Sequence, residues 1–186
     1  MVLGGNLHCG AALTLFMPTM FLLLSATTAA YFDFRWRRIP NWLVASTIVL
    51  SLGWHTWSSG WDGLLLSGGG LLAGMAILFP LFLLRGMGAG DVKFFGAIGA
   101  AVTYQHVLSV FVIAALIAGF MALFRVLAAR AFVATLANIV SILNRFLHGR
   151  LSPHPVASLA NEQALVIPFG VSVAVATWLF VLLGSK

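Results

Sequence analysis

The chain of 186 residues holds four carboxylates: Asp33, Asp62, Asp91 and Glu162. Other groups that could do chemistry are sparse or badly spaced. Cys9 is alone, so it can form neither an internal disulfide nor a cysteine metal cluster, and its plainest reading is an inert small residue. The serines are scattered, and no Ser–His or Cys–His arrangement offers an activated nucleophile. His8, His55 and His106 lack the helical spacing of metal ligands, so no metal and no other cofactor is expected. Two carboxyls brought together are a different matter. Like charges about 3 Å apart cannot both ionise, so one stays an acid while the other activates water. Whether any two of the four meet depends on the elements that carry them.

Hydrophobic residues make up 61% of the chain and charged ones 8%. A soluble domain carries about 25% charged residues to dress its surface against water, which this chain cannot do. Uncharged runs of bilayer-spanning length recur along it, and no alternation of apolar and polar residues marks a β-barrel. The expected class is an all-α, polytopic membrane protein. The net charge of +6 does not point to nucleic acid, because the basic residues lie between apolar runs rather than in one patch with stacking aromatics. Residues 1–10 carry no Lys or Arg to make the basic start of a signal peptide; the first helix is expected to be retained.

Apolar runs predict about six transmembrane helices, near 11–32, 42–59, 63–84, 92–104, 107–127 and 164–183, in a single peptide domain covering 1–186. Taken as one helix, 92–127 would be ~54 Å long, against a hydrocarbon core of ~30 Å; Thr103-Tyr104-Gln105-His106 supplies a polar turn for a break. The cations test that break. With the N-terminus outside, Arg35, Arg37, Arg38, Arg85, Lys93, Arg125, Arg130, Arg145 and Arg150 all fall inside, leaving only Lys186 outside. Merging the fourth and fifth spans would throw Arg125, Arg130, Arg145 and Arg150 outside, against the positive-inside bias. Residues 131–147 space Phe132, Leu136, Ile139, Leu143 and Phe146 along one face amid arginines, which predicts an interfacial amphipathic helix on the cytoplasmic surface. Gly68, Gly69, Gly70 and Gly74 on one span, and Gly96, Ala97, Gly99 and Ala100 on another, predict close helix packing. Pro18 and Pro80 fall inside spans, where membrane helices tolerate them.

This topology sends Asp62 outside, into the Trp-rich turn WHTWSSGWDG, as a solvated turn residue. Glu162 falls in a polar cytoplasmic loop. Asp33 closes the first span and Asp91 opens the fourth, so both reach the cytoplasmic membrane boundary. Position alone leaves two readings open: a pair for aspartyl hydrolysis, or structural ion pairs with the arginines nearby.

The residues around the two aspartates carry a resemblance. Asp33, followed by Arg37, Arg38, Ile39, Pro40 and Asn41, resembles the first block of type IV prepilin peptidases: Asp, three variable residues, two basic residues and Ile-Pro-Asn. Gly88-Ala89-Gly90-Asp91-Val92-Lys93 matches their G-x-G-D-x-K block, and Ile167-Pro168-Phe169-Gly170 looks like the Pro-aromatic-Gly segment before the last part of their chain. Order, spacing and span count agree along nearly the whole sequence. The resemblance implies an intramembrane aspartyl endopeptidase of the inner membrane that removes short basic leaders from pilin-like precursors. Asp33 and Asp91 would be its catalytic pair, with Arg37, Arg38, Lys93, Pro40, Asn41, Pro168, Phe169 and Gly170 as supporting residues. Gly88 and Gly90 would leave room for substrate backbone. The basic residues also suit anionic lipid headgroups. Larger family members carry a cysteine-bearing cytoplasmic insertion and N-methylate the new terminus; this chain has neither the cysteines nor the insertion and resembles the compact peptidases of tight-adherence (Flp) pili, so methyltransferase activity is not expected. A preflagellin-type peptidase would look similar, and a non-catalytic membrane assembly subunit or transporter would use the same acids as ion pairs.

Overall fold

The computed structural model describes residues 6–84, 86–128 and 169–184. The expected interfacial helix 131–147, Arg85, Arg130, Arg145, Arg150, Glu162, Pro168 and Lys186 lie outside these residues. Four helices account for nearly all of the described chain: α1 (Asn6–Trp36), α2 (Asn41–Leu83), α3 (Ala89–Ala128) and α4 (Phe169–Gly184), and the all-α expectation holds.

α1 continues past the end of the apolar run at 32, so Asp33 lies on its last turns rather than beyond them. Its hydroxyls bond back to their own helix: Ser25 to the Leu22 carbonyl, Thr27 to Leu23 and Thr28 to Leu24, which keeps polar atoms satisfied in apolar surroundings. The helix stops where Arg37 enters the left-handed region, φ 52°, its N–H closing on the Asp33 carbonyl at 2.9 Å. Pro40 then opens α2 from an extended conformation. Its carbonyl accepts the N–H groups of Leu43 and Val44.

α2 and α3 are, among the described residues, the helices long and apolar enough to cross a bilayer, judged by length and composition. Neither is straight. α2 breaks at Gly60, with φ 61° and ψ −136°, a conformation that glycine reaches without steric cost. The chain doubles back so tightly that Gly63 packs against the backbone carbonyl of His55. α3 breaks at Thr103, with φ 67° and ψ 167°. Both breaks fall where the sequence placed span boundaries. Thr103 is β-branched and gains nothing from a positive φ, a strain of about 1–3 kcal/mol that its surroundings must offset. They do so by taking up the carbonyls that the break orphans. Ser67 Oγ donates to the Ala100 carbonyl at 2.7 Å, His55 Nε2 reaches that of Ala101 at 3.0 Å, and His106 Nδ1 reaches that of Val102 at 3.3 Å.

The second arm of α2 runs antiparallel to the first arm of α3, and small residues set their separation. Gly70 and Gly99 meet backbone to backbone, and a Cβ on Gly74 would lie 2.9 Å from the Phe95 carbonyl. Gly69 makes only ordinary contact with Tyr104, and Gly68 faces open space. The expected small-residue seam is therefore real but narrower than its glycines. It carries the first arm of α3 into the centre of the bundle, where Phe94, Phe95, Ala97, Ile98 and Ala100 are buried. On the outside, Leu24, Leu72, Leu116, Phe120 and Phe124 are exposed, an apolar surface that suits lipid.

α4 closes the bundle. It runs antiparallel to α1, where Trp178 Nε1 donates to Thr27 Oγ1 at 3.1 Å. It also runs antiparallel to the second arm of α3, where Ser172 Oγ bonds Met121 Sδ at 3.6 Å and Phe180 packs on His106. The breaks at Gly60 and Thr103 thus share one end of the bundle. The C-terminus of α1 and the N-termini of α3 and α4 share the other. Replacing Gly70 by Leu should drive a side chain into the Gly99 backbone and lower the thermal midpoint in detergent by roughly 6–10 °C. Gly68→Leu should cost less than about 2 °C in the same circular-dichroism melt.

Candidate active site

Helix ends in apolar surroundings need donors and acceptors supplied to them, and this need fixes both aspartates. α4 begins at Phe169 directly after Pro168, and proline offers no side-chain oxygen for the first-turn amides. The acceptor comes from α1. Gly170 N–H donates to Asp33 Oδ2 at 2.7 Å, and the amide of Val171 also bonds this carboxyl. Asp33 is only 6% exposed, so these donors replace the water it has lost. The close approach depends on glycine: a Cβ on residue 170 would stand 2.8 Å from Asp33 Oδ2 and 3.0 Å from its Cβ.

Asp91 occupies the third position of α3 and is half-buried. Its carboxyl reaches back to the amide of Gly88, the residue just before the helix, as the acidic member of a capping box does. It therefore sits in the first turn of α3. Both carboxyls lie at the positive ends of helix dipoles, Asp33 at α4 and Asp91 at α3. They are also in electrostatic reach of each other, since the charge of Asp33 acts on Asp91. Asp33 from α1 and Asp91 from α3 thus share one end of the bundle.

The other candidate residues take varied places. Arg37 is exposed, and its charge acts on Asp33. Arg38 and Lys93 are exposed at the same end of the bundle. Pro40 and Asn41 form the start of α2. Phe169 is half-buried with its ring edge-on to Phe95, centroids 6.5 Å apart. Gly88 faces the Asp91 carboxyl, and Gly90 faces Ile39, whose Cβ would lie 3.9 Å from a Cβ on residue 90. In this structure the bare faces of the two glycines thus meet protein atoms. Asp62 is exposed beside the Gly60 break at the far end. His55 and His106 are there too, engaged with backbone carbonyls; among the described residues no three His, Cys, Asp or Glu side chains gather as a metal site would require.

Sequence reasoning missed Ile39 as the wedge against the GMGAGD segment, and it missed the Val171 amide. The second had a readable signal. ALVIPFG precedes an apolar helix without a Ser, Thr, Asp or Asn to cap it, so a cap must come from elsewhere. Asp33→Leu should leave the first-turn amides of α4 without an acceptor and cost about 1–3 kcal/mol. Asp33→Asn keeps a carbonyl oxygen there and should cost less than about 1 kcal/mol. Thermal denaturation of both variants in one detergent checks the order.

A search of curated proteins finds no match to the chain, and neither does a search of solved structures. The sequence model of the type IV leader peptidase family matches residues 20–123, more than half of the chain and a stretch that contains Asp33 and Asp91 but not Pro168–Gly170. With that match, the chain belongs to the type IV leader peptidase family.

Proposed function

We propose that this membrane peptidase is an aspartyl endopeptidase in which Asp33 and Asp91 share one proton and cut the leader from a pilin-like precursor at the cytoplasmic membrane boundary. The observation that supports the reading is the placing of a buried and a half-buried carboxyl, from α1 and α3, at one end of the bundle and within electrostatic reach of each other. In the reaction, the ionised carboxyl takes a proton from water as the oxygen of that water adds to the scissile carbonyl carbon. The protonated carboxyl gives its proton to the carbonyl oxygen. The tetrahedral intermediate collapses with cleavage of the C–N bond: one of its hydroxyls returns a proton to the carboxylate that had given one up, and the leaving amine takes up the proton gained from water.

The depth of the site fits such a substrate. A pilin precursor presents a charged leader and then an apolar helix, so its scissile bond lies at the boundary and the deep helix need not unwind. The proposed topology has six crossings and an outside N-terminus, with the breaks at Gly60 and Thr103 as the outer turns. It puts the exposed Arg37, Arg38 and Lys93 on the inner face, where anionic headgroups can meet them. Gly88 and Gly90 are proposed to admit substrate backbone once Ile39 shifts. Pro40 and Asn41 are proposed to hold the α1–α2 connection in shape. The single cysteine, where larger relatives carry pairs, favours a Flp-type precursor and peptidase activity without N-methylation.

Asp33→Asn and Asp91→Asn should each lower leader cleavage at least about 10³-fold while both proteins remain inserted. The check is a gel-shift assay with a purified Flp-type pilin precursor, and full cleavage by either inserted variant removes the assignment. A labelling tag placed near Arg145 should react only from the cytoplasmic side; reaction from outside overturns the six-crossing topology.

A further inference from the structure

α1 carries Asp33 and α3 carries Asp91, yet α1 packs chiefly on α4, and only marginally on α3 or α2. α4 in turn packs on both α1 and α3. The separation of the two carboxyls is therefore set through a third element. Its first turn makes both connections: Gly170 N–H holds Asp33 Oδ2 at 2.7 Å, and the adjacent Phe169 stacks edge-on to Phe95, one turn past Asp91.

We propose that Gly170 is a positioning residue of the peptidase reaction, whose N–H fixes the Asp33 carboxyl opposite Asp91 and whose missing side chain lets α4 come close enough to do so. The inference rests on the aspartyl reading above and assigns Gly170 a role distinct from room for substrate. Three atoms of Asp33 stand within 3.1 Å of where a Cβ on residue 170 would be, among them its own Cβ. Two of the three, Cβ and Cγ, move only if the Asp33 side chain or one of the helices shifts. An alanine there must therefore push Asp33 off the bond or push α4 off α1. Either displacement alters the geometry of the pair, and a misplacement of ~1 Å in a reacting group costs about 10²-fold in rate.

The test uses the full chain in nanodiscs with a purified Flp-type pilin precursor, comparing Gly170→Ala, a variant with glycolic acid at position 170, Asp33→Asn, Asp91→Asn and Val175→Ala. Glycolic acid replaces the amide by an ester, which removes the N–H and adds no side chain. Val175 is an exposed α4 residue and serves as the unchanged control. Gly170→Ala should lower kcat about 100-fold and the ester variant at least about tenfold, each with KM within about twofold of the parent. In protein labelled with ¹⁵N-glycine, the amide signal missing from the ester variant belongs to Gly170, and it should move upfield in Asp33→Asn as its partner loses charge. If Gly170→Ala does not fold, the ester variant decides. Parental kcat in the ester variant, with both aspartate variants dead, overturns the positioning role alone. Leader cleavage at the parental rate by Asp33→Asn overturns the aspartyl reading and this inference with it.

Discussion

In an apolar protein a broken or terminated helix cannot leave its backbone groups to water, and most of what is particular about this structure follows from that constraint. The break at Thr103 exposes three successive carbonyls, which Ser67, His55 and His106 take up from three directions. α3 starts with a carboxyl bent back to the amide of Gly88, just ahead of the helix. α4 starts with a carboxyl lent by α1. The two carboxyls proposed to do the hydrolysis are therefore also the groups that finish two helices. Their placement has a structural cause that exists before any substrate arrives.

The second organising fact is how closely the second arm of α2 approaches the first arm of α3. With Gly70 on Gly99 and Gly74 on Phe95, the backbones meet where larger side chains would hold them apart. That contact drives the first arm of α3 into the centre, and Asp91 rides at its boundary end. Asp33 arrives from the opposite side on α1, which leans on α4. The site is assembled from two separate packing systems, a backbone seam on one side and a capped helix end on the other.

Much of this was legible in the sequence. WHTWSSGWDG marked one break as a Trp-rich turn between apolar runs, TYQH marked the other because an unbroken 92–127 would outrun the bilayer, and Gly60 and Thr103 fall within those segments. Placing Asp33 and Asp91 at one end needed only the span count. What the sequence concealed were relations between distant residues. Nothing local to Asp33 says that it caps a helix 137 positions away, although the uncapped start of α4 says that something must. Gly68 and Gly70 look alike in a run of three glycines, yet only the helical phase decides which faces a neighbour. His55 and His106 read only as histidines without the spacing of metal ligands, because their partners are carbonyls freed by a break whose sharpness no local pattern announces.

The double duty proposed for Asp33 constrains how such a chain can lose its activity over time. A copy released from selection for cleavage would still have to finish α4, so position 33 would keep a residue with an oxygen to offer the Gly170 amide. Decay through asparagine is open there, and decay through leucine is not. Position 91 is looser, since its carboxyl reaches an amide at a half-exposed boundary where solvent can substitute. Inactive descendants of this fold should therefore drift first at 91 and hold an amide or carboxyl at 33, leaving the shape of the site behind after its chemistry has gone.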